Sequence, residues 1–207
     1  MPVQPDDLSV PAAKTRLRQR LSAARRSLAE AERQAARTAN ADHLFARLST
    51  LGCVAAYLPL PTEPLTVDLL DRLALRSRVL VPLVTGAAPL DWCAYPVEAQ
   101  RGALGIDEPT GPPLGPDAIA EADAVLVPAL AVDPSGHRLG RGGGHYDRTL
   151  DLQCRLRAAD AGTKLGRVAV RIAVLYDDEL LESVPYDDLD QLVHATVTPS
   201  AGYRTIG

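Results

Sequence analysis

The sequence predicts an α/β fold, a mainly parallel central sheet with helices on both faces in a Rossmann-like three-layer architecture. Three observations predict it. Short apolar runs recur along the chain, helix-spaced segments stand between them, and a glycine-rich loop follows directly on one run. Strands buried on both faces read as continuous apolar runs, and parallel neighbours are joined through crossover helices.

Residues 11 to about 51 are rich in Ala, Leu, Arg and Glu, with Leu17, Leu21, Leu28, Leu44 and Leu48 at spacings that suit one helical face. One long helix or two shorter ones satisfy that pattern. Residues 53–58 form a short apolar run closed by Pro59 and Pro61, a buried strand emptying into a loop. Residues 66–77 return to helical spacing through Val67, Leu70, Leu73 and Ala74, and Arg78–Leu83 is a second strand. Residues 102–116, dense in glycine and proline, predict an ordered loop without regular pairing. Residues 124–132 make a third strand, a helix is expected from about Arg148, residues 167–175 make a fourth strand and Ala195–Thr198 a fifth. Active sites in such sheets lie at the carboxyl ends of the strands.

Composition narrows the function classes. At 207 residues and 46% apolar, the chain is long enough for a real core, and one domain over residues 1–207 is expected, with 1–10 flexible. A net charge of −4 with 23% charged residues argues against a disordered polyelectrolyte and against a globally basic nucleic-acid binder. The charge is unevenly placed. Lys14, Arg16, Arg18, Arg20, Arg25, Arg26, Arg33 and Arg37 face only Glu30 and Glu32 within that stretch, whereas acids gather after Asp177. A local basic face can meet phosphate on an acidic protein. Cys53, Cys93 and Cys154 are odd in number and lack C-x-x-C spacing, so neither a disulfide framework nor a cysteine zinc site is expected. No stretch approaches the roughly 18 to 20 apolar residues of a membrane span. A cytoplasmic monomer, without membrane or nucleic-acid partners, is the expectation.

The chemistry concentrates in residues 133–148. Four glycines fall within five positions, Gly140 to Gly144, flanked by Arg138, Arg141 and Arg148 and closed by Asp147. Glycines let backbone amides approach an anion, arginines offer forked donors to phosphate oxygens, and a helix starting after the loop adds its positive end. Asp147 is placed to hold magnesium beside phosphates. No Gly-Lys-Ser/Thr follows, so this is not a Walker A loop, and His145 stands where a dinucleotide fingerprint has its last glycine. Trp92 and Tyr95 are candidates to stack on a ring, with core packing the competing role.

The run Gly-His-Arg-Leu-Gly-Arg-Gly-Gly-Gly-His-Tyr-Asp-Arg, Gly136 to Arg148, resembles the signature of the 5-formyltetrahydrofolate cyclo-ligase family, also called methenyltetrahydrofolate synthetase. Lys14-Thr15-Arg16-Leu17-Arg18 is similar to the family's Lys-x-x-Leu-Arg. Tyr57 to Thr66 resembles its strand-loop segment, and Gly105-Ile106-Asp107-Glu108-Pro109 its Gly-Ile-x-Glu-Pro element. The resemblance extends in order from Lys14 to about Pro199.

It implies ATP- and magnesium-dependent conversion of 5-formyltetrahydrofolate to 5,10-methenyltetrahydrofolate, with release of ADP and phosphate. Lys14 and Arg141 would be catalytic. ATP would be bound by Lys14, Arg18, Arg138, Leu139, Gly140, Arg141, Gly142, Gly143, Gly144, His145 and Tyr146. The folate would be held by Leu60, Glu63, Arg141, Gly142, Gly143, Gly144 and His145, with Tyr57 as apolar contact. Asp147 and His194 would hold magnesium. Two departures stand out, His145 where the family commonly has tyrosine and His194 where it has an aspartate. Asp190 or water would then complete the metal site. A folate- or nucleotide-binding protein without catalysis is the alternative, and an RNA-associated protein using the basic N-terminal helix is a third class.

Overall fold

The computed structural model describes residues 9–84, 86, 88–101, 107–159 and 169–206. The N-terminal helical pattern resolves into two helices, α1 (Val10–Ser27) and α2 (Glu30–Leu48). Leu28 and Ala29 are extended between them, and the Glu32 carboxylate accepts the Ala29 N–H at 2.9 Å, satisfying a donor that the start of α2 leaves open. Then come β1 (Cys53–Ala55), α3 (Val67–Ala74), β2 (Arg78–Leu83), β3 (Asp91–Tyr95), β4 (Ala99–Arg101) and β5 (Asp107–Pro109). A 3-10 turn (Pro116–Glu121) leads to β6 (Ala124–Pro128), β7 (Ala131–Val132), β8 (Arg138–Leu139), α4 (His145–Ala159), β9 (Val170–Val174), β10 (Ala195–Thr198) and β11 (Gly202–Thr205).

Seven strands form one sheet in the order β11-β10-β9-β6-β1-β2-β3. The inner pairs are parallel and the two outermost, β2·β3 and β10·β11, antiparallel. The period-2 alternation of the strands splits the core. Val54, Val79, Val81, Leu126, Ile172 and Val174 pack on one face with Leu44 and Leu48 of α2 and Leu69, Leu70 and Leu73 of α3. Ala55, Leu80, Val125, Val127 and Ala173 pack on the other with Ile119 of the 3-10 turn and Leu150 of α4. Helices on both faces of a mostly parallel sheet are what the sequence predicts.

Several boundaries differ. Residues 124–132 are two strands, because after Pro128 the chain leaves the sheet and β7 pairs antiparallel with β8 as a separate hairpin. Within the expected loop 102–116, Asp107–Pro109 pairs with β4, while 102–106, which include Gly105 and Ile106, lie outside the described residues, as do 1–8 and 167–168 of the expected fourth strand. Helix α4 starts at His145, three residues earlier than expected. Trp92 is fully buried in the second core cluster, not a ring platform, and Tyr95 donates to Asp71. Among the described residues no helix is long and apolar enough to cross a membrane.

Helix α1 crosses the hairpin β7–β8, where Leu17 and Leu21 pack on Leu130, Leu139 and Val184. A buried ion pair fixes the crossing. Arg25 grips Glu179 through two bonds of 2.6 and 2.7 Å and donates to the Ala129 carbonyl at 2.6 Å. Burial pushes the Glu179 carboxyl up, against the opposing pull of Arg25. The expected metal ligand His194 lies elsewhere, at the entry to β10. Its Nδ1 accepts the Arg171 N–H at 3.2 Å and its own N–H donates to the Arg171 carbonyl at 2.9 Å, so the imidazole extends the β9·β10 ladder.

Two predictions follow from these contacts. Arg25→Met leaves the Glu179 carboxylate buried without its partner, and urea unfolding should show a loss of about 3–5 kcal/mol. Burial, with Arg171 nearby, lowers the pKa of His194 below its ordinary 6.5. Between the two values the unfolded chain binds more protons, so the contribution to stability is complete above the ordinary value and is lost as pH falls through the folded one. The melting temperature of His194→Asn, which keeps an acceptor without a titrating ring, should fall less than that of the wild type between pH 7.5 and 5.5.

Candidate active site

Strand β1 lies between β2 and β6, so the chain leaves β1 toward one side of the sheet and later returns on the other. Such a reversal opens a crevice beyond the carboxyl ends of the two strands. A cavity of about 1180 Å³ occupies it. The segment after β1 contributes Tyr57, Leu58, Leu60 and Glu63, and the hairpin after β6 contributes Arg138 to Gly144. Helix α1 adds Lys14, Thr15 and Arg18 from above, and the first turn of α4 adds His145 to Arg148.

The glycine loop is shaped by backbone and by neighbours. Gly142 and Gly144 have φ of +103° and +65°, a region costly for residues with a Cβ. Arg18 donates from Nε to the Gly140 carbonyl at 2.9 Å, tying α1 to the loop. Arg148 donates from Nη2 to the Gly143 carbonyl at 3.0 Å and to His145 Nδ1 at 3.3 Å, tying the loop to α4. The loop runs into a helix N-terminus, whose first amides lack intrahelical acceptors.

Three of the expected cations are held by carboxylates. Lys14 Nζ lies 2.6 Å from Asp187 and 2.5 Å from Asp190. Burial opposes its charge, but these two bonds outweigh it and raise the Lys14 pKa, and Lys14 in turn holds the Asp187 carboxyl below its usual range. Arg138 Nη2 bonds Asp147 Oδ1 at 2.6 Å, and Arg141 Nε bonds Glu63 Oε1 at 3.2 Å. Burial lowers the Arg138 pKa, against the pull of Asp147. The Arg138 side chain is 3% exposed and that of Arg141 46%, so the first is a fixed wall and the second can swing. Glu63 is buried, its other oxygen accepting the Leu60 N–H at 2.9 Å. Tyr146 is half-buried with its hydroxyl enclosed and without a partner, and burial raises its pKa.

Of the expected metal ligands, Asp147 and Asp190 line the cavity and His194 does not; Asp190 is taken up by Lys14 at 2.5 Å, which leaves Asp147. Its Oδ1 accepts from Arg138 and from the Gln191 N–H at 3.0 Å, leaving its second oxygen for another partner. Among the described residues no three His, Cys, Asp or Glu side chains gather as a metal cage. A single carboxylate suits magnesium delivered on phosphates, which supply most of its oxygens together with water.

Lys14, Arg18, Leu60, Glu63, Arg138 to Gly144, His145, Tyr146 and Asp147 thus line one cavity, and His194 does not. Sequence reasoning missed Arg148 as a loop clamp, although it closes the motif, and missed Asp187 and Gln191. The signal for the aspartates was the acidic C-terminal third facing a basic N-terminal helix.

The 5-formyltetrahydrofolate cyclo-ligase family profile matches residues 10–199. A 5-formyltetrahydrofolate cyclo-ligase of Mycolicibacterium smegmatis is 39% identical over 199 residues, covering 93% of this chain and 96% of that protein. The solution structure of Aquifex aeolicus 5,10-methenyltetrahydrofolate synthetase superposes with a TM-score of 0.69 at 27% identity, covering 93% of this chain and 92% of that one. A Mycoplasma pneumoniae 5,10-methenyltetrahydrofolate synthetase shares the fold, with a TM-score of 0.68 at 20% identity over 90% of this chain and 99% of that one. With the motifs in order along the sequence and their side chains gathered at one crevice, the chain belongs to the 5-formyltetrahydrofolate cyclo-ligase family.

Proposed function

We propose that this chain converts 5-formyltetrahydrofolate to 5,10-methenyltetrahydrofolate, cleaving ATP to ADP and phosphate in the same cavity. The observation that carries the reading is that one crevice is lined at once by the glycine loop, by Lys14 and Arg18 and by the buried Glu63.

A formamide oxygen is a poor leaving group. Its attack on the γ-phosphorus of ATP forms an O–P bond and releases ADP, and the neighbouring folate nitrogen then adds to the activated carbon. Loss of phosphate from that carbon, and of the proton from the attacking nitrogen, leaves the methenyl bridge. Phosphoryl transfer of this kind needs charge stabilisation and in-line placement more than a protein nucleophile. Arg138, rigid and buried, supplies fixed positive charge at the floor of the loop. The mobile Arg141 exchanges its carboxylate partner for phosphate oxygens, while Lys14 keeps its two carboxylates and turns its third N–H to those oxygens. Glu63, held by the Leu60 amide, accepts from the amine and amide N–H groups of the pterin once Arg141 turns away. Tyr57 and Leu60 supply apolar contact.

Charge balance supports magnesium as the companion of ATP. Lys14, Arg18, Arg138, Arg141 and Arg148 line the cavity against Glu63, Asp91, Asp147, Asp151, Asp187, Asp188 and Asp190, so a bare triphosphate enters a site with more acidic than basic groups. Magnesium would neutralise phosphate charge, and the second oxygen of Asp147 would hold it. His194 takes no part in that shell.

The test is turnover. Purified protein with ATP, magnesium and 5-formyltetrahydrofolate should form the methenyl chromophore and ADP in equal amounts, and folded protein that forms neither sinks the proposal. Arg141→Ala should lower kcat/KM by about 100- to 1000-fold, the cost of one phosphate-directed donor, while its melting temperature stays within about 2 °C because the side chain is half-exposed. Gly144→Ala should cost roughly 1–2 kcal/mol of stability from its left-handed backbone and should also reduce turnover.

A further inference from the structure

Outside the cavity, Asp133 organises the turn between β7 and β8. Its Oδ1 accepts the N–H of Ser135 at 2.9 Å and of His137 at 3.1 Å. Its Oδ2 faces two further groups at 3.1 Å, the His137 ring and the Val184 N–H. A carboxylate only accepts, so His137 Nδ1 carries the hydrogen. The oriented imidazole stacks on Tyr186, with ring centroids 3.6 Å apart and planes 8° from parallel. The far end of the same segment returns to the same turn, where the Val193 N–H donates to the Gly136 carbonyl at 3.0 Å.

Residues 184–193 are therefore an irregular arm tied at both ends to one tight turn. Its middle reaches the cavity. Asp187 and Asp190 hold the Lys14 ammonium, and the Gln191 N–H holds Asp147, which holds Arg138. The arm fixes its own tip as well, since the N–H of Asp187 donates to Asp190 Oδ2 at 2.8 Å. Tyr186 is 52% exposed, so its ring adds little to the core and is placed instead to set the arm.

We propose that Asp133, His137 and Tyr186 form a positioning tether for the nucleotide side of the site. Stacked and hydrogen-bonded, they hold the arm so that Lys14 and Asp147 are presented to the phosphates at fixed points. A long ammonium side chain left without its two carboxylate anchors spreads over many rotamers, and ATP must then order it on binding. The folate side, built from Tyr57, Leu60 and Glu63 on the segment after β1, shares no hydrogen bond or ion pair with Asp133, His137 or Tyr186 among the described residues. The inference rests on the ATP-dependent reading above and adds a division of labour within it.

The experiment measures KM for ATP and for 5-formyltetrahydrofolate in the wild type, Tyr186→Ala and Tyr186→Phe. Tyr186→Ala should raise KM for ATP about tenfold, a loss typical of positioning, with KM for folate within twofold of the wild type. Tyr186→Phe, which keeps the stack, should restore the wild-type value. An unchanged KM for ATP in Tyr186→Ala overturns the tether. So does an equal rise in both KM values, which would mark general loosening. If the wild type does not turn over, the proposed reaction falls, and the tether is read from the Kd of a non-hydrolysable ATP analogue. A tenfold weakening in Tyr186→Ala then sustains it, equal Kd values overturn it, and a wild type that binds no analogue overturns both.

Discussion

The crevice exists because β1 sits at the point where the strand order reverses. Parallel neighbours on both sides force the connections after β1 and β6 to part in opposite directions, and the gap they leave cannot be closed by either. Everything functional is then brought to that gap by tertiary contacts. Helix α1 is laid over it by Leu17 and Leu21 on the hairpin and by Arg25 on Glu179 and Ala129. Arg25 and Lys14 are eleven residues apart on one rigid helix, so the buried ion pair at one end fixes where the ammonium emerges at the other.

A site for a polyanion faces a conflict before its ligand arrives. Clustered cations repel, and buried ones lose hydration. Here the cavity answers with internal carboxylates: Lys14 is shared by two, Arg138 rests on Asp147 and Arg141 reaches Glu63. Exposure sorts these pairs by role. Arg138 is sealed and stays with Asp147, whereas Arg141 is half-exposed and can change partner at small cost. On the proposed reading, phosphate would bind by an exchange of counter-ion at Arg141 rather than by filling a bare positive pocket.

The sequence disclosed the layers and the loop because both have local causes. Runs such as Val79, Leu80 and Val81 are buried on both faces and need no context to be recognised. The edge strands β3 and β11 carry Asp91, Tyr95, Arg204 and Thr205, and one solvent-facing side breaks the continuous apolar pattern that marks a central strand. The arm at 184–193 was read only at Asp190, as a candidate to complete the metal site, and its contacts were illegible for another reason. It has no periodicity, and its aspartates act on a lysine more than 170 residues away, so only the charge asymmetry between the two ends of the chain hinted at the contact. His194 misled because its alignment with a family aspartate said nothing of its ring, which the Arg171 amide claims for the sheet.

The glycines of the loop, which read as one signal in sequence, separate in the structure into different requirements. Gly142 and Gly144 answer to backbone conformation, since their positive φ excludes a side chain whatever surrounds them. Gly143 answers to its neighbour. A Cβ there would lie 2.8 Å from Cδ2 of His145, the ring that stands where the family commonly has tyrosine. Arg148 holds that ring through Nδ1, so it cannot turn aside without releasing the clamp on the Gly143 carbonyl. The departure at His145 is therefore absorbed by contacts this chain already has. The imidazole keeps a planar group beside Gly143, and its bond from Arg148 leaves Nε2 as the ring's N–H donor.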